Sequence, residues 1–334
     1  MKKFINKPEA FVDEMVEGIL AAHPEKLQIT NNDLRCLVKK NRDKAKVGLV
    51  TGGGSGHLPL FLGYVGDGML DGCAIGGVFQ SPSADQMYEV TKAVNTGKGV
   101  LYIYGNYTGD IINFDMAGEM AEADGIATDT VLGNDDVASA PKGEEGKRRG
   151  VAGIFFVYKA AGALADEGAS LAEVKRVAQK AASRVRTMGV ATSPCIVPEV
   201  GKPSFTLSET EMEIGMGIHG EPGIRRGSLK PVDEVVEEML EPVIKDLNLS
   251  KGAEVSVLMN GLGATPKEEL YIAFRKVSLI LKAKGIKVFS CHVGEFATSM
   301  EMAGFSISLI DLDSELKRLI AKPADTPFYC QLAM

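Results

Sequence analysis

The sequence predicts two α/β domains, the first a doubly wound, mainly parallel sheet and the second a smaller mixed α/β unit. With 334 residues, 45% of them hydrophobic, the chain exceeds the usual size of a single core. Short apolar runs end in glycine-rich turns, as buried parallel strands do. Helical patterns follow these runs, which gives the β-loop-α rhythm of a doubly wound sheet. Proline and glycine recur between Gly189 and Pro198, so we place the domains at residues 1–190 and 191–334.

The first half alternates predicted helices and strands. Residues 11–23 form an amphipathic pattern, and Ser81 with Pro82 has the signature of an N-cap and first helical residue. Residues 142–149 have the composition of a solvated loop, and an apolar helix then runs to Ala165. The other predicted elements are strands at 46–51, 100–104 and 127–132, a helix from 111, and a helix over 170–188.

The second half begins with patterns typical of strands. A short run at 204–207 is followed by residues 212–218, where methionine and isoleucine alternate with glutamate and glycine. This alternation predicts a half-buried strand that ends in a glycine-rich turn carrying His219. The remaining predicted elements are a helix at 232–247, a strand at 254–260, a helix to Lys284, and strands at 286–292 and 305–311.

Composition excludes several classes of partner. The net charge is −7 and no long run of lysine or arginine occurs, so neither nucleic acid nor an anionic membrane is an expected partner. No apolar stretch approaches the roughly 20 residues that span a bilayer. The five cysteines are scattered without a CxxC pair, which argues against a disulfide framework and a zinc cluster. We therefore expect a protein of the reducing cytoplasm.

A glycine-rich loop is predicted after the strand at 46–51, and its spacing does not match a phosphate-binding motif. Counted from Gly48, no Lys-Ser/Thr pair follows as a P-loop requires. Counted from Gly52 or Gly54, the third glycine of GxGxxG falls on His57 or Pro59. The loop can still offer N–H groups to an oxygen-rich ligand. The alternative is a tight turn that carries a solvated histidine.

Three ionisable residues follow predicted strands, before a helix or a glycine turn: His57, Asp110 and His219. Ligands of α/β folds bind where such strand ends meet, so these side chains are expected to converge on one crevice. Each has a simpler structural interpretation. Asp110 could be the N-cap of the next helix, and His219 could be no more than a polar residue at the end of a strand. His23 ends a helix, and His292 fits a satisfied core position.

Two other kinds of site are less consistent with the spacing. A Ser-His-Asp hydrolase needs a GxSxG elbow, and Gly54-Ser55-Gly56 has the wrong spacing. A zinc site of two histidines and an aspartate lacks HxxxH or HxH spacing, so no metal site is predicted.

Five blocks rich in glycine and polar residues follow one another along the chain. They are Thr51-Gly-Gly-Gly-Ser-Gly-His57, Asn106-Tyr-Thr-Gly-Asp110, Gly201-Lys-Pro-Ser-Phe-Thr-Leu207, Gly217-Ile-His-Gly-Glu-Pro-Gly223 and Asn260-Gly-Leu-Gly-Ala-Thr-Pro266. In this order the blocks resemble the K-subunit family of dihydroxyacetone kinase. The resemblance spans nearly the whole chain, and the block around His219 is highly specific.

The resemblance implies roles for these residues. His219 would bind the carbonyl carbon of a short ketose as a hemiaminal, while Asp110 and His57 would assist phosphate transfer to a terminal hydroxyl. Neutral imidazole is a competent nucleophile near pH 7, and glycerol offers no carbonyl to attack. The resemblance also implies a substrate pocket that is lined by Gly54, Ser81, Gly105 and Asn106.

Two residues depart from the family's usual pattern. Leu58 stands where glutamate usually follows the loop histidine, and Gly105 stands where lysine often precedes the Asn-Tyr-Thr-Gly-Asp block. Since Gly105 would leave more room, a four-carbon ketose such as erythrulose is an alternative substrate.

The resemblance also implies partners. The sequence shows no phosphate loop, so this chain is expected to bind no cofactor itself and to match the separate-subunit form. ATP or ADP with magnesium would then be carried by an L subunit, possibly recharged by a phosphotransferase-system protein. A homodimer is also implied. A sensor that captures the ketose without transferring phosphate is a further alternative, against which the retained Asp110 argues.

Overall fold

A computed structural model describes residues 2–41 and 45–334. Its first half contains α1 Phe11–Ala22, β1 Leu27–Thr30, β2 Asp33–Lys39, β3 Gly48–Ser55, β4 Gly72–Val78, α2 Ala84–Val94, β5 Val100–Gly105, α3 Thr108–Ala123, β6 Thr128–Gly133, α4 Ile154–Asp166 and α5 Leu171–Ser183. Its second half contains β7 Val185–Ser193, β8 Glu211–Ile214, β9 Arg225–Ser228, α6 Val232–Asp246, β10 Glu254–Gly261, α7 Lys267–Ala283, β11 Lys287–Gly294, β12 Ala303–Asp311, α8 Ser314–Ile320, β13 Ala324–Asp325 and β14 Cys330–Gln331.

The first sheet has the strand order β1-β2-β4-β3-β5-β6. Its four strands β4, β3, β5 and β6 are parallel, and β1 and β2 add an antiparallel edge. Leu49 of β3 packs into the core that α1, α4 and α5 cover, whereas Val50 packs into the core under α2 and α3. Because both faces are buried, the strands are continuous apolar runs.

The second sheet has the order β11-β10-β12-β7-β8-β9, and only β10 and β11 are parallel. α6 and α7 cover one of its faces through a separate core cluster. The other face shares a core with the first sheet, since Leu258 and Ile310 belong to the same cluster as Leu49. α4 contributes Phe155 and Tyr158 to this cluster and is buried nearly all round, as its apolar sequence predicts.

The predicted fold class is confirmed, but several element assignments are wrong. The helix predicted over 170–188 ends at Ser183, and β7 begins at Val185 because its backbone pairs with β12. The division of the chain at residue 190 stays a prediction, and this residue lies within β7. Residues 204–207 form no strand, and the strand predicted at 212–218 ends at Ile214. The strands β1, β2 and β4 were not predicted.

The charged loop at residues 142–149 is less solvated than its composition predicts. Arg148 is 1% exposed, and its guanidinium donates to both carboxylate oxygens of Asp246, at 2.9 and 2.7 Å. Arg186 of β7 donates to the same carboxylate at 2.5 Å. This buried ion group fixes the loop against α6. Within the described residues, no helix has the length and apolarity that crossing a membrane requires.

Candidate active site

The glycine run after residue 51 belongs to β3, which extends to Ser55. A Cβ atom at Gly54 would lie 2.7 Å from the backbone nitrogen of Gln80 and 2.8 Å from Cα of Phe79. Glycine is therefore required here because another backbone approaches closely. The run pairs with β4 in a strand ladder, so it is not a phosphate-cradling loop.

His57 follows β3 directly and is buried, with only 1% of its surface exposed, so the interpretation as a solvated turn residue is wrong. Its Nδ1 lies 2.8 Å from the carbonyl oxygen of Thr298. A carbonyl only accepts, so Nδ1 carries the proton and Nε2 is unprotonated. Nε2 is buried without a hydrogen-bond partner in the described part of the chain. Burial and then the neighbouring His219 lower the pKa of His57 to about 3, which keeps this imidazole neutral at pH 7.

His219 lies in the turn after β8, where Gly220 has a φ angle of +80°. Its Nδ1 is 2.8 Å from Oε1 of Glu221, and its backbone nitrogen donates to Oε2 of the same carboxylate at 2.9 Å. A carboxylate oxygen accepts, so Nδ1–H is the donor to Glu221. The side chain is 23% exposed and can be reached by a ligand.

Three rings lie close to the imidazole of His219. The ring centroids of His57, Tyr107 and Phe79 lie 4.7, 4.8 and 5.2 Å from its own, each nearly perpendicular to it. His57 and Phe79 also stack on each other at 4.9 Å. The predicted convergence of His57 and His219 is therefore found in the fold.

Glu221 holds His219 in place and was not identified from the sequence. Burial raises the pKa of Glu221, but the hydrogen bond and charge of His219 outweigh it and lower this pKa to about 2. Arg149 lies 3.9 Å from Glu221 and donates to Asp136 at 2.9 Å. Glu221 lies two residues after His219 in the same turn, and this spacing could have identified Glu221 from the sequence. A Cβ at Gly217 would lie 2.1 Å from Glu221, so glycine makes room for this carboxylate.

Asp110 lies in the first turn of α3 and is 6% exposed. Tyr107 is the N-cap residue of α3, so the N-cap interpretation of Asp110 is wrong. Burial raises the pKa of Asp110 to about 6, against the opposing effects of the Ser81 hydroxyl and of His219. This value lies where a carboxylate can act as a general base at neutral pH.

Ser81 donates its hydroxyl hydrogen to Oδ1 of Asp110. The prediction that Ser81 caps α2 is wrong, because Ser83 caps this helix and forms a capping box with Gln86. Two serines flank Pro82, and one caps the helix while the other bonds Asp110.

The remaining predicted pocket residues have other contacts. The Nδ2 group of Asn106 donates to the carbonyl oxygens of Gly146 and Arg148, at 2.9 and 2.7 Å. A Cβ at Gly105 would lie 2.9 Å from the ring of Tyr107. The Tyr107 ring thus borders Gly105 directly, and whether this glycine leaves more room for a four-carbon ketose stays a prediction. Whether Gly54, Gly105 and Asn106 line a pocket for substrate stays a prediction.

The other histidines and Leu58 lie away from these rings. His292 packs against Phe155, with ring centroids 5.3 Å apart. Its Nε2 is buried without a partner in the described part, so the expectation of a satisfied core histidine is wrong. Leu58 packs against the main core. Residues 2–41 and 45–334 contain no group of three His, Cys, Asp or Glu side chains that could hold a metal ion.

The arrangement brings the imidazoles of His57 and His219 next to each other. Burial raises the pKa of the nearby Asp110 carboxyl group to about 6, and His219 is close enough to act against this increase. An imidazole Nε2 can attack a carbonyl carbon, and a carboxylate can take a proton from a hydroxyl. The site is thus equipped for covalent capture of a carbonyl compound and for proton transfer.

The chain is similar to known proteins over nearly its whole length. The Dak1 domain model matches residues 17–328. A PTS-dependent dihydroxyacetone kinase dihydroxyacetone-binding subunit of Listeria innocua is 47% identical over 330 residues, which cover 98% of this chain and 99% of that protein. An L-erythrulose kinase of Pectobacterium atrosepticum is 42% identical over 334 residues, covering 98% of this chain and 56% of that protein.

Solved structures match over nearly the full length. The dihydroxyacetone kinase of C. freundii superimposes with a TM-score of 0.91 at 32% identity, over 99% of this chain and 60% of that one. A dihydroxyacetone kinase operon co-activator matches with a TM-score of 0.87 at 32% identity, over 93% of this chain and 96% of that one.

The fold, the histidine–carboxylate site and the kinase subunits among these relatives define a phosphotransferase class. The chain belongs to the Dak1-domain family, as the predicted resemblance to dihydroxyacetone kinase K subunits indicated.

Proposed function

We propose that the chain is the ketose-binding subunit of a dihydroxyacetone kinase, in which His219 binds a short ketose as a hemiaminal. The observation that carries this proposal is the adjacent pair of imidazoles of His57 and His219, each of which is bound to an oxygen acceptor through Nδ1. Both Nδ1 protons are held by fixed oxygen atoms, of Thr298 and Glu221. The Nε2 lone pairs are therefore available to a ligand without a change of tautomer.

In the capture step, the Nε2 lone pair of His219 forms a bond to the ketose carbonyl carbon. The carbonyl π electrons move to oxygen, which takes up one proton from the buffered solvent, so the adduct carries one more positive charge than the separate reactants. The imidazole then carries a positive charge, and the carboxylate of Glu221 stabilises it at 2.8 Å. Glycerol is excluded because it has no carbonyl group.

In the transfer step, the oxygen of the ketose's terminal hydroxyl attacks the phosphoryl group. The carboxylate of Asp110 accepts the proton of this hydroxyl. Ser81 orients this carboxylate through its hydrogen bond. The bound ketose donates a hydrogen bond to the buried Nε2 of His57. This bond gives Nε2 the partner that it lacks in the described part of the chain. His57 thus orients the substrate while remaining neutral.

The phosphoryl donor comes from another polypeptide in this proposal. The glycine-rich end of β3 is paired in a sheet, and its spacing does not match a phosphate-binding motif. We propose that an L-type subunit brings ATP or ADP with magnesium to the edge where Asp110 lies. The C. freundii kinase, of which this chain spans 60%, supports a second functional part. The Listeria relative is described as PTS-dependent, which supports recharging by a phosphotransferase-system protein.

A homodimer and a location in the cytoplasm are part of the same proposal. The cytoplasmic location is supported by the five cysteines, all of which are free thiols.

Two alternatives have specific support. The similarity to an L-erythrulose kinase favours a four-carbon ketose as a second candidate substrate. The similarity to an operon co-activator favours a sensor that captures ketose without phosphate transfer. Asp110 and its bond to Ser81 favour the kinase, because a sensor needs no base for a hydroxyl group.

The proposal is tested with dihydroxyacetone labelled with ¹³C at its carbonyl carbon. On binding, the carbonyl signal should be replaced by a signal of a tetrahedral carbon, and native mass spectrometry should show one added ketose. His219→Gln should abolish both, and His23→Gln is the matched control. A ketose that binds with its carbonyl signal intact would refute the hemiaminal.

Phosphate transfer is tested with a cognate L subunit, ATP and magnesium. Turnover should require both proteins, and dihydroxyacetone and erythrulose compared by kcat/KM should identify the preferred ketose. An adduct without any transfer would establish the sensor instead. Turnover by this chain alone would refute the need for a partner.

A further inference from the structure

Gly105, at the end of β5, is a glycine for a steric reason. Its φ angle lies outside the left-handed region, so the backbone conformation does not require glycine. A Cβ atom here would lie 2.9 and 3.0 Å from Cε2 and Cδ2 of Tyr107, and 3.4 Å from the carbonyl oxygen of Gly150. Separations below 3.0 Å force a neighbour to move. The ring of Tyr107 thus packs directly against the backbone of Gly105.

The Tyr107 ring has little freedom to move away sideways. Its hydroxyl donates to the carbonyl oxygen of Gly150 at 3.1 Å, and its backbone nitrogen donates to Gly105 at 2.8 Å. Gly150 is itself wedged between strands, since a Cβ there would lie 2.4 Å from the carbonyl oxygen of Gly133 and 2.7 Å from Cα of Gly105. The ring of Tyr107 therefore packs against the backbone of Gly105 and is hydrogen-bonded to the backbone of Gly150.

Tyr107 also contacts the nucleophile. Its ring meets the imidazole of His219 at a centroid distance of 4.8 Å and an interplanar angle of 88°. The stacked rings of His57 and Phe79 also contact this imidazole, with centroid distances of 4.7 and 5.2 Å. In so closely packed a cage, a displaced Tyr107 ring displaces His219 as well.

We propose that Tyr107 is a positioning residue for His219 and that Gly105 acts on ketose binding only through Tyr107. This inference rests on the proposed function, because the group being positioned is the ketose nucleophile. The wall of the ketose site on this side is the Tyr107 ring, and the space above Gly105 is not available to a longer ketose. Selectivity between three- and four-carbon ketoses then depends on the ring and not on the glycine directly.

A double-mutant cycle tests whether the two residues act together. Four proteins are compared: wild type, Gly105→Ala, Tyr107→Leu, and the combined variant. We expect Gly105→Ala to weaken the dihydroxyacetone adduct at least ~10-fold in the wild-type background and less than ~2-fold in the Tyr107→Leu background. Equal effects in both backgrounds would show that Gly105 acts on the ketose itself and would overturn the proposal.

Two further variants separate positioning from general damage. Tyr107→Phe keeps the ring and should keep the adduct within ~3-fold, since only one hydrogen bond is lost. Gly18→Ala places a methyl group where no atom lies within 4 Å and should leave binding unchanged. If Gly105→Ala does not fold, recovery of folding by Tyr107→Leu supports the proposal, and no recovery overturns it.

A ketose-free measurement distinguishes this proposal from the proposed function. The imidazole signals of His219 in NMR spectra should shift in Gly105→Ala and should not shift when the same change is made in Tyr107→Leu. If wild type forms no adduct but these shifts occur, the proposed function fails and the positioning role stands. If Gly105→Ala leaves the His219 signals unchanged, the positioning role is wrong.

Discussion

The imidazoles of His57 and His219 meet edge to face with their ring centroids 4.7 Å apart and an interplanar angle of 85°. One ring is fixed by Thr298 and the other by Glu221, each through Nδ1. The pKa of His57 is lowered to about 3, so this imidazole is neutral at pH 7 and does not repel His219. In the proposed function, His219 is the nucleophile and His57 is the hydrogen-bond acceptor for the same ketose.

Asp110→Asn should separate capture from transfer. The amide cannot accept the hydroxyl proton, so phosphorylation with a cognate L subunit should fall by at least ~100-fold. The ¹³C-labelled ketose adduct on His219 should persist. Asp115→Asn, an exposed change on the same helix, is the matched control. A nearly unchanged rate in Asp110→Asn would show that this carboxylate is structural.

The pH dependence of kcat/KM should report the carboxyl group of Asp110. Its pKa is raised to about 6, so the rate should rise as the pH increases through about 6 and the base form appears. Ser81→Ala removes a hydrogen bond that lowers this pKa. The rising limb should then move to higher pH. A limb that stays in place in Ser81→Ala would contradict the assignment.

The same shift has a consequence for stability. Because the pKa of Asp110 is raised in the folded protein, the folded state binds more protons than the unfolded state between about pH 4 and 6. The contribution of Asp110 to stability is therefore lost as the pH rises through this window. Denaturant unfolding of wild type and Asp110→Asn at pH 4.5 and 7 should show a smaller loss in the variant. An equal loss in both proteins would refute the raised pKa.

Glu221→Gln should weaken the adduct without preventing it. Glutamine can still accept the Nδ1 hydrogen, but it does not compensate the positive charge that forms on the imidazole of His219. We expect the adduct equilibrium constant, measured by ¹³C NMR, to fall about tenfold, which corresponds to the loss of one charge-assisted hydrogen bond. The exposed change Glu209→Gln serves as the control. Unchanged adduct stability would remove Glu221 from the mechanism.

His57 should remain neutral throughout the physiological range. Its pKa is lowered to about 3, so its ¹⁵N NMR signals should not titrate between pH 5 and 8 and should identify Nδ1 as the protonated nitrogen. Since the unfolded state binds a proton more readily, stability from this group is present above about pH 6.5 and is lost as the pH falls towards 3. Titration of His57 near pH 6.5 would contradict its burial.

Local sequence patterns correctly predicted those helices and strands whose burial in the fold matches the spacing of their apolar residues. The apolar run of α4 predicted a buried helix, and β5 followed by α3 predicted the junction at which Asp110 lies. The glycine-rich strand β4 was missed because glycine gives no apolar alternation. The end of α5 was misplaced because residues after Ser183 continue a helical pattern, while pairing with β12 makes them a strand.

Sequence patterns predicted the fold class, and they also predicted the convergence of His57, Asp110 and His219, because strand ends of an α/β fold meet at one edge. The chemical state of these groups depends instead on their tertiary contacts. The tautomer of His57 depends on Thr298, 241 residues away, and the pKa of Asp110 depends on its burial. The ring of Tyr107 fills the space above Gly105, which no local pattern could reveal. Tautomer, pKa and free volume are properties of the three-dimensional surroundings, which the sequence near each residue does not contain.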